Sequence, residues 1–323
     1  MAKKKPRNVH DRAFKALFHP PEAALSLLRS ALPATLVDAI DPGSIKPGPT
    51  DFSNDLLEED HRDLLFEATI RGQHVLFYVI EHQRTVQWFM ALRLLRYVIG
   101  VWDWWLSKHP ETKTLPAVIP FVLHQGDKAW NAPRSLAALM DLPPDVLAAV
   151  GHYVPALDMA LQDLGPASPA ELAAFPGPPI VRVTLTFMRA VVDPRGDPLA
   201  ALEFLQDTLK ELLAQPGGRS RLSVVLRYTV LARPELDVQT VVDEFERVAG
   251  SEAGEVVMST AQELIKEGHE QGQRELVELL LTEKFRELSQ EVHERLDKAT
   301  ADQLQLWSKR VLKAERIEDV FAS

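Results

Sequence analysis

Short runs of apolar residues, separated by turn signals, alternate with longer amphipathic stretches over the first half of the chain. Residues 62–69 and 74–83 are rich in β-branched and aromatic residues and flank Gly72, which predicts two antiparallel strands joined by a tight turn. Val75 to Ile80 is apolar at every position, as expected of a strand covered on both faces. The pattern therefore predicts a buried hairpin.

Helices and further strands are predicted around this hairpin. Apolar spacing predicts helical structure over residues 10–32, interrupted at Pro20 and Pro21, and a long apolar helix over residues 86–108. Residues 115–124 are predicted to form a buried strand, and residues 153–159 a further strand. The order helix, strand, strand, helix, strand predicts an α/β unit with a mixed sheet.

Beyond about residue 165 the pattern becomes almost wholly helical. A long polar helix containing Gly268 and Gly272 is predicted over residues 259–288, and amphipathic spacing over residues 276–321 predicts a small helical unit. Four parts are therefore predicted: a basic flexible arm (1–8), an α/β core (9–165), a helical extension (166–252), and the long polar helix with the C-terminal helical unit (253–323).

The composition narrows the class of protein. The chain has 323 residues and 46% hydrophobic content, enough for a substantial core. It has no cysteine, which excludes disulfides, thiolate zinc sites and cysteine nucleophiles and is typical of a reducing compartment. We find neither a signal-peptide pattern nor an apolar run of membrane-spanning length. We therefore expect a cytoplasmic protein with no membrane association.

The net charge of −10 is unevenly distributed. Residues 1–130 carry 16 Lys plus Arg against 15 Asp plus Glu, so the acidity belongs to the later, helical part. A nucleic-acid partner is therefore compatible with the N-terminal part of the chain. The basic arm is interpreted either as a solvated tail or as a contact to phosphate.

Charged and polar residues stand at the end of the hairpin, where a buried strand should have none. Side chains alternate along a strand, so Glu81 and Gln83 point to one face and His82 to the other. A three-residue turn over residues 71–73 would place Asp63 directly opposite Glu81, with Cβ atoms about 4.5–5.5 Å apart. That spacing suits two carboxylates that hold one divalent ion, whereas a two-residue turn would put Asp63 on the wrong face.

The residue pattern alone leaves a second interpretation open for this pair. Both carboxylates would then be solvated at a partly exposed hairpin end, or paired with Arg62 and Arg84. His82 and His124 end their strands without a second histidine at a ligand spacing, so a structural role is favoured for both.

Several motifs in order along the chain resemble a known family. They are His10-Asp11-Arg12-Ala13-Phe14-Lys15, then Asp63 with Glu81-His82-Gln83, then residues 90–97, and finally residues 115–126. Together they resemble the Rpn family of recombination-promoting nucleases, also called YhgA-like transposases, within the PD-(D/E)xK nuclease superfamily. The resemblance covers residues 8–165 best. It implies an α/β fold with a PD-(D/E)xK, restriction-endonuclease-like mixed-sheet core and an all-helical C-terminal extension.

The resemblance also implies an activity and a site. It implies a Mg²⁺-dependent DNA endonuclease associated with recombination or mobile elements, with Asp63 and Glu81 as metal ligands and Mn²⁺ or Ca²⁺ as substitutes in vitro. Gln83 stands where the superfamily usually has lysine, so more of the charge stabilisation would fall on the metal. Asp11 corresponds to an acid that adds an outer ligand or orients water, and its alternative role is that of a first-turn helix acid.

Other residues are assigned to DNA contact or to the core. Lys15, Arg93, Arg96 and Tyr97 are candidate phosphate contacts, with ion pairing to buried acids as the alternative for the arginines. The tryptophans at 88, 102, 104 and 105 could stack bases, but their helical spacing favours the core. The C-terminal helices are a candidate surface for homo-oligomers. The competing function is a catalytically weak or inactive nuclease fold that binds DNA or protein.

Overall fold

The computed structural model describes residues 9–49, 64–194 and 196–322. The chain divides into two compact units, Met1–Val257 and Met258–Ser323. The first unit contains a mixed β-sheet with helices, and the described part of the second is helical. The α/β class with a mixed sheet is therefore confirmed, whereas the four predicted domain boundaries stay predictions.

Five strands form one sheet in sequence order. The first three strands pair antiparallel, and the last two pairings are parallel. The strands are β1 (Lys46–Pro47), β2 (Leu64–Ile70), β3 (His74–Gln83), β4 (Ala117–His124) and β5 (Ala160–Asp163). Because β3, β4 and β5 are parallel, their carboxyl ends meet at one edge of the sheet.

The hairpin of β2 and β3 has the predicted register. Ile70 pairs with His74 and Leu64 with Ile80, across a three-residue turn. Gly72 takes a positive φ of 68° in this turn, and its N–H donates to Asp41 Oδ2 at 2.6 Å. Asp63 lies outside the described residues, so its pairing with Glu81 stays a prediction.

The helices of the sheet region follow the sequence pattern closely. Helices α1 (Val9–Phe18) and α2 (Pro21–Ala31) are separated at the predicted prolines, and a short α3 (Ala34–Val37) follows. Helix α4 (Met90–Lys108) connects the parallel strands β3 and β4, as a parallel crossover requires. It begins four residues later than predicted, which leaves Trp88 outside the helix.

The prediction of a strand over residues 153–159 is wrong in position. Gly151–Tyr153 forms a 3₁₀ turn, and β5 begins only at Ala160. Pro155 has no N–H to donate to a ladder, and the Met159 N–H bonds to the Arg134 carbonyl instead of to β4. The strand therefore starts at the first residues that align with β4.

The helices after β4 belong to the same compact unit as the sheet. Among them, α9 (Gly218–Ala232) packs against α7 (Pro179–Val192) and against α1, the first helix of the chain. These helices are α5 (Pro144–Val150), α6 (Pro169–Ala173), α7 (Pro179–Val192), α8 (Gln206–Leu213), α9 (Gly218–Ala232) and α10 (Val238–Ala249).

The second unit has an apolar core of its own, which includes Val277, Leu281, Leu296 and Trp307. Its helices are the later part of α11 (Ser251–Phe285), with α12 (Gln290–Asp297), α13 (Ala301–Val311) and α14 (Ile317–Val320). Over the described ranges of both units, no helix is long and apolar enough to cross a membrane.

Candidate active site

The carboxyl end of β3 presents different chemistry on its two faces. Glu81 and Gln83 lie on the face that α4 covers, since Glu81 is ion-paired with Arg93 of α4. His82 lies on the opposite face, where its ring stacks on Phe14 of α1 with centroids 4.9 Å apart. The alternation predicted from the sequence is therefore observed for these residues.

The Glu81 carboxylate is almost completely buried, with 1% of the residue exposed. Its Oε1 accepts a hydrogen bond from Gln83 Nε2 at 2.5 Å and lies 2.8 Å from Arg93 Nη2. A buried carboxylate is costly unless a cation and hydrogen bonds compensate its charge. Arg93 provides that compensation from one turn inside α4.

Arg93 also links this carboxylate to the segment between β3 and α4. Its Nη1 donates to Gln87 Oε1 at 3.4 Å, while its Nη2 contacts Glu81. The Arg93 side chain is 20% exposed, so part of it is accessible to solvent. Sequence spacing placed Arg93 near the site but could not tell which acid it pairs with.

Asp11 and Lys15 lie on the other face of the sheet, with His82. Lys15 Nζ is 3.3 Å from Asp11 Oδ2, and His82 Nδ1 is 3.8 Å from Asp11 Oδ1. The interaction with His82 is the largest cause that lowers the pKa of Asp11, and Lys15 adds to it against the opposing effect of burial. The structure therefore groups Asp11 with His82, and its role at a metal stays a prediction.

The two remaining candidate DNA contacts differ in exposure. Arg96 is exposed on α4, one turn after Arg93. Tyr97 is buried in an apolar cluster with Val79 and Leu94. Of the two, Arg96 is the one placed where it can meet a phosphate.

A buried polar network on the His82 face was missed by sequence reasoning. Gln125, which is fully buried, accepts a hydrogen bond at Oε1 from His82 Nε2 at 2.9 Å. Its Nε2 donates to the Met188 carbonyl at 2.6 Å and to the Tyr228 hydroxyl at 2.5 Å. Tyr228 lies 2.8 Å from His10 Nδ1, so the network joins β3 to α1, α7 and α9.

The protons of this network can be assigned from its donors and acceptors. The Tyr228 hydroxyl accepts from Gln125, so its own proton is donated to His10 Nδ1. Burial, then the charge of Arg84, then that of His82 lower the pKa of His10 to about 4. A neutral His10 that accepts at Nδ1 is consistent with that low pKa.

His124 and Asp163 are neighbours across the parallel strands β4 and β5. His124 Nδ1 is 2.7 Å from Asp163 Oδ1, and the other carboxylate oxygen accepts the Trp130 N–H at 2.6 Å. Burial alone would raise the pKa of Asp163, but the hydrogen bonds from His124, Trp130 and Gly165 lower it below its usual value. Through these hydrogen bonds Asp163 links the end of β5 to the end of β4 and to the loop that follows β4. This agrees with the structural role predicted for His124.

The oxygen donors at the end of β3 suit a hard divalent cation such as Mg²⁺. Among the described residues no group of three His, Asp or Glu side chains is arranged to hold a metal, and the second predicted ligand, Asp63, lies outside them. Arg93 and Gln83 both bond to Oε1 of Glu81. Carboxylate and amide oxygens are the kind of donor that Mg²⁺ binds, so a metal held here would share the Glu81 carboxylate with Arg93.

Comparison with known proteins agrees with the resemblance in the sequence. A family model described as "Putative transposase, YhgA-like" matches residues 8–218. The chain is 32% identical over 129 residues to recombination-promoting nuclease RpnA of Escherichia coli (strain K12), which is 39% of this chain and 43% of that protein. It is 31% identical over 121 residues to recombination-promoting nuclease RpnD of Escherichia coli O157:H7, covering 37% of this chain and 46% of the relative.

A third relative carries a different name. The inactive recombination-promoting nuclease-like protein RpnE of Escherichia coli (strain K12) is 29% identical over 121 residues, which is 36% of this chain and 39% of the relative. The chain thus matches less than half the length of each of these three relatives, and no solved structure matches it. Because the family model covers more than half of the sequence, the chain belongs to the YhgA-like transposase family, and it is similar to the Rpn nucleases.

Proposed function

We propose that this protein is a DNA endonuclease that hydrolyses phosphodiester bonds with a bound divalent cation, Mg²⁺ in the first instance. The observation that carries the proposal is the buried Glu81 carboxylate at the carboxyl end of β3, bonded to both Gln83 and Arg93. A buried acid with a specific charge partner at a strand end is typical of a catalytic site. The relatives RpnA and RpnD are named nucleases, which supports the coarser part of the proposal, a nuclease activity.

Asp63 and Glu81 are the residues that would hold the cation, on a core of the PD-(D/E)xK type. A bound divalent ion lowers the pKa of a coordinated water and stabilises negative charge on the phosphate. The observed register of the hairpin supports this pairing, since one further step along the ladder from Leu64 and Ile80 reaches Asp63 and Glu81. Asp11 would act from the other face, through His82.

Arg93 would supply the positive charge that Gln83 lacks. Gln83 donates a neutral hydrogen bond to Glu81, whereas the Arg93 guanidinium brings a permanent charge to within 2.8 Å of the same oxygen. A charge at that position would stabilise the phosphate as negative charge develops on it. Arg96 would add a phosphate contact along α4, and Lys15 would contact phosphate on the other face of the sheet.

Nicking of supercoiled plasmid DNA tests the proposal. Pure protein with Mg²⁺ or Mn²⁺ should convert the plasmid to the nicked form, and EDTA should stop the reaction. Asp63→Asn and Glu81→Gln should each reduce the rate by about 100-fold or more. Glu67→Gln is the matched control, because Glu67 is a carboxylate of the neighbouring strand that pairs with Lys46.

Two results would contradict this proposal. Nicking that survives both Asp63→Asn and Glu81→Gln would remove this site from the reaction. Absence of nicking by the folded wild-type protein with every divalent metal would favour the second candidate, a nuclease fold that binds DNA or protein without cleaving. Gln83, which stands where the superfamily usually has lysine, favours this second candidate, and one relative is named inactive.

We further infer from the family that the cleavage serves DNA recombination or mobile elements, in the cytoplasm. Assembly into homo-oligomers through the C-terminal helices would bring two sites to one DNA molecule.

A further inference from the structure

Two large aromatic side chains are exposed immediately after the candidate catalytic strand. The connecting segment, Arg84–Phe89, joins β3 to α4. Within it Trp88 is 57% exposed and Phe89 is 61% exposed. The expectation that Trp88 belongs to the core is therefore wrong, because the helix that would have buried it begins only at Met90.

The connecting segment is bonded to the candidate site. Gln87, the residue before Trp88, accepts a hydrogen bond from the same Arg93 guanidinium that contacts Glu81. The Arg93 guanidinium thus bridges the Glu81 carboxylate and the side chain of Gln87, and Gln87 immediately precedes the two exposed aromatic residues.

The segment that contains the two aromatics is positively charged in sequence, although the chain carries a net charge of −10. Residues 84–102 contain three arginines and no aspartate or glutamate. Arg84 and Arg96 are exposed, and Arg93 is partly exposed. Exposed aromatic rings among arginines match the chemistry of nucleic-acid bases linked by phosphates.

We propose that Trp88 and Phe89 form a stacking platform for unpaired DNA bases, next to the phosphate that would be hydrolysed at the Glu81 site. The rings of a paired base are covered by its neighbours in the duplex, whereas an unpaired base can leave the stack and lie on an aromatic side chain. The substrate class is therefore DNA with an unpaired segment. This inference rests on the proposed function for its link to cleavage.

DNA explains this surface better than a protein partner or a second copy of the chain does. Trp88 and Phe89 immediately precede the end of α4 that carries Arg93 and Arg96. A protein that covered the exposed face of α4 would also bury Ile99 and Leu106, and Leu106 lies about 24 Å along the helix from Met90. A substitution at Leu106, far from Trp88 along α4, therefore distinguishes a protein interface over the whole face from DNA binding at its first end.

Fluorescence anisotropy of labelled oligonucleotides in EDTA tests the platform without cleavage. The two probes are a duplex and the same duplex with a central stretch of unpaired thymines. Trp88→Ala should weaken binding to the unpaired probe about tenfold, and Trp88→Phe should restore most of it. Binding to the full duplex should change much less, and Leu106→Ala should bind both probes as the wild type does.

The salt dependence separates stacking from charge. Arg96→Gln should lower the slope of log affinity against log salt by about 1 for either probe, whereas Trp88→Ala should leave the slope unchanged. Unchanged binding by Trp88→Ala, or an equal loss on both probes, would overturn the platform. A change of oligomeric state in both Trp88→Ala and Leu106→Ala, with DNA binding intact, would assign the face to a protein interface instead.

Failure of this inference can be told apart from failure of the proposed function. Trp88-dependent binding of unpaired DNA, without nicking under any metal, would retain the platform and overturn the nuclease. Nicking that requires Glu81, together with binding that is indifferent to Trp88, would do the reverse.

Discussion

Two buried tyrosines should respond in opposite ways to loss of their hydroxyl groups. The Tyr228 hydroxyl bonds to both Gln125 and His10, whereas the Tyr78 hydroxyl is buried without a hydrogen-bond partner among the described residues. Burial raises the pKa of both tyrosines, so each hydroxyl keeps its proton at neutral pH. The substitutions Tyr228→Phe and Tyr78→Phe therefore form a matched pair.

The expected magnitudes follow from what each hydroxyl leaves behind. Tyr228→Phe leaves one N–H of Gln125 without its acceptor and Nδ1 of His10 without its donor, and each such loss costs about 1–3 kcal/mol. The expected decrease in the free energy of unfolding is thus about 2–6 kcal/mol. Tyr78→Phe removes a hydroxyl that is desolvated without compensation, so we expect no loss or a gain of about 1 kcal/mol.

Urea unfolding followed by tryptophan fluorescence measures both effects, because five of the six tryptophans precede residue 258 and report on the first unit. Equal destabilisation by the two substitutions would show that the loss comes from ring packing. A Tyr228→Phe protein within 0.5 kcal/mol of the wild type would refute the network as a source of stability.

Two further substitutions test the same unit. Burial, Arg84 and His82 lower the pKa of His10 from 6.5 to about 4, so the unfolded chain binds the proton first, and about 3 kcal/mol of stability present above pH 6.5 should be lost as the pH falls to about 4. In urea titrations across that pH range, His10→Asn should reduce this loss of unfolding free energy, and the exposed control His152→Asn should not. If stability falls with pH in His10→Asn as it does in the wild type, protonation of His10 is not the cause. Gly126→Ala should cost about 1–3 kcal/mol, because a Cβ there would lie 2.5 Å from Nε2 of the buried His124. Gly151→Ala, whose Cβ meets nothing within 4 Å, should unfold at the wild-type urea concentration, and equal midpoints for both variants would contradict the close contact.

Local signals in the sequence were sufficient for the central part of the fold. The helix break at Pro20 and Pro21 follows from proline geometry, and the hairpin register follows from a three-residue turn whose Gly72 accepts a positive φ. Alternation along β3 then assigned Glu81 and Gln83 to one face and His82 to the other. These inferences needed only neighbours within a few residues.

The parts that could not be predicted depend on contacts distant in sequence. Gln125 meets Tyr228, which is 103 positions later, and Tyr228 meets His10, which is 218 positions earlier. A glutamine after a strand and a tyrosine inside an amphipathic helix carry no periodic signal for such a contact. The exposure of Trp88 was missed for a different reason, since it depends on where α4 begins, and helix boundaries are poorly specified by apolar spacing.

The position of Arg93 bears on whether a site with Gln83 in place of lysine has a positive charge beside Glu81. If residue 83 were the only source of charge beside Glu81, a glutamine there would imply a site without its cation. Arg93 reaches the same carboxylate oxygen from α4, so the fold supplies a positive charge from a helix that the strand motif does not include. The same guanidinium also holds Gln87, which ties the charge to the segment that carries Trp88 and Phe89. The candidate chemistry and the candidate DNA surface therefore share one residue, and a change at Arg93 should affect both cleavage and binding.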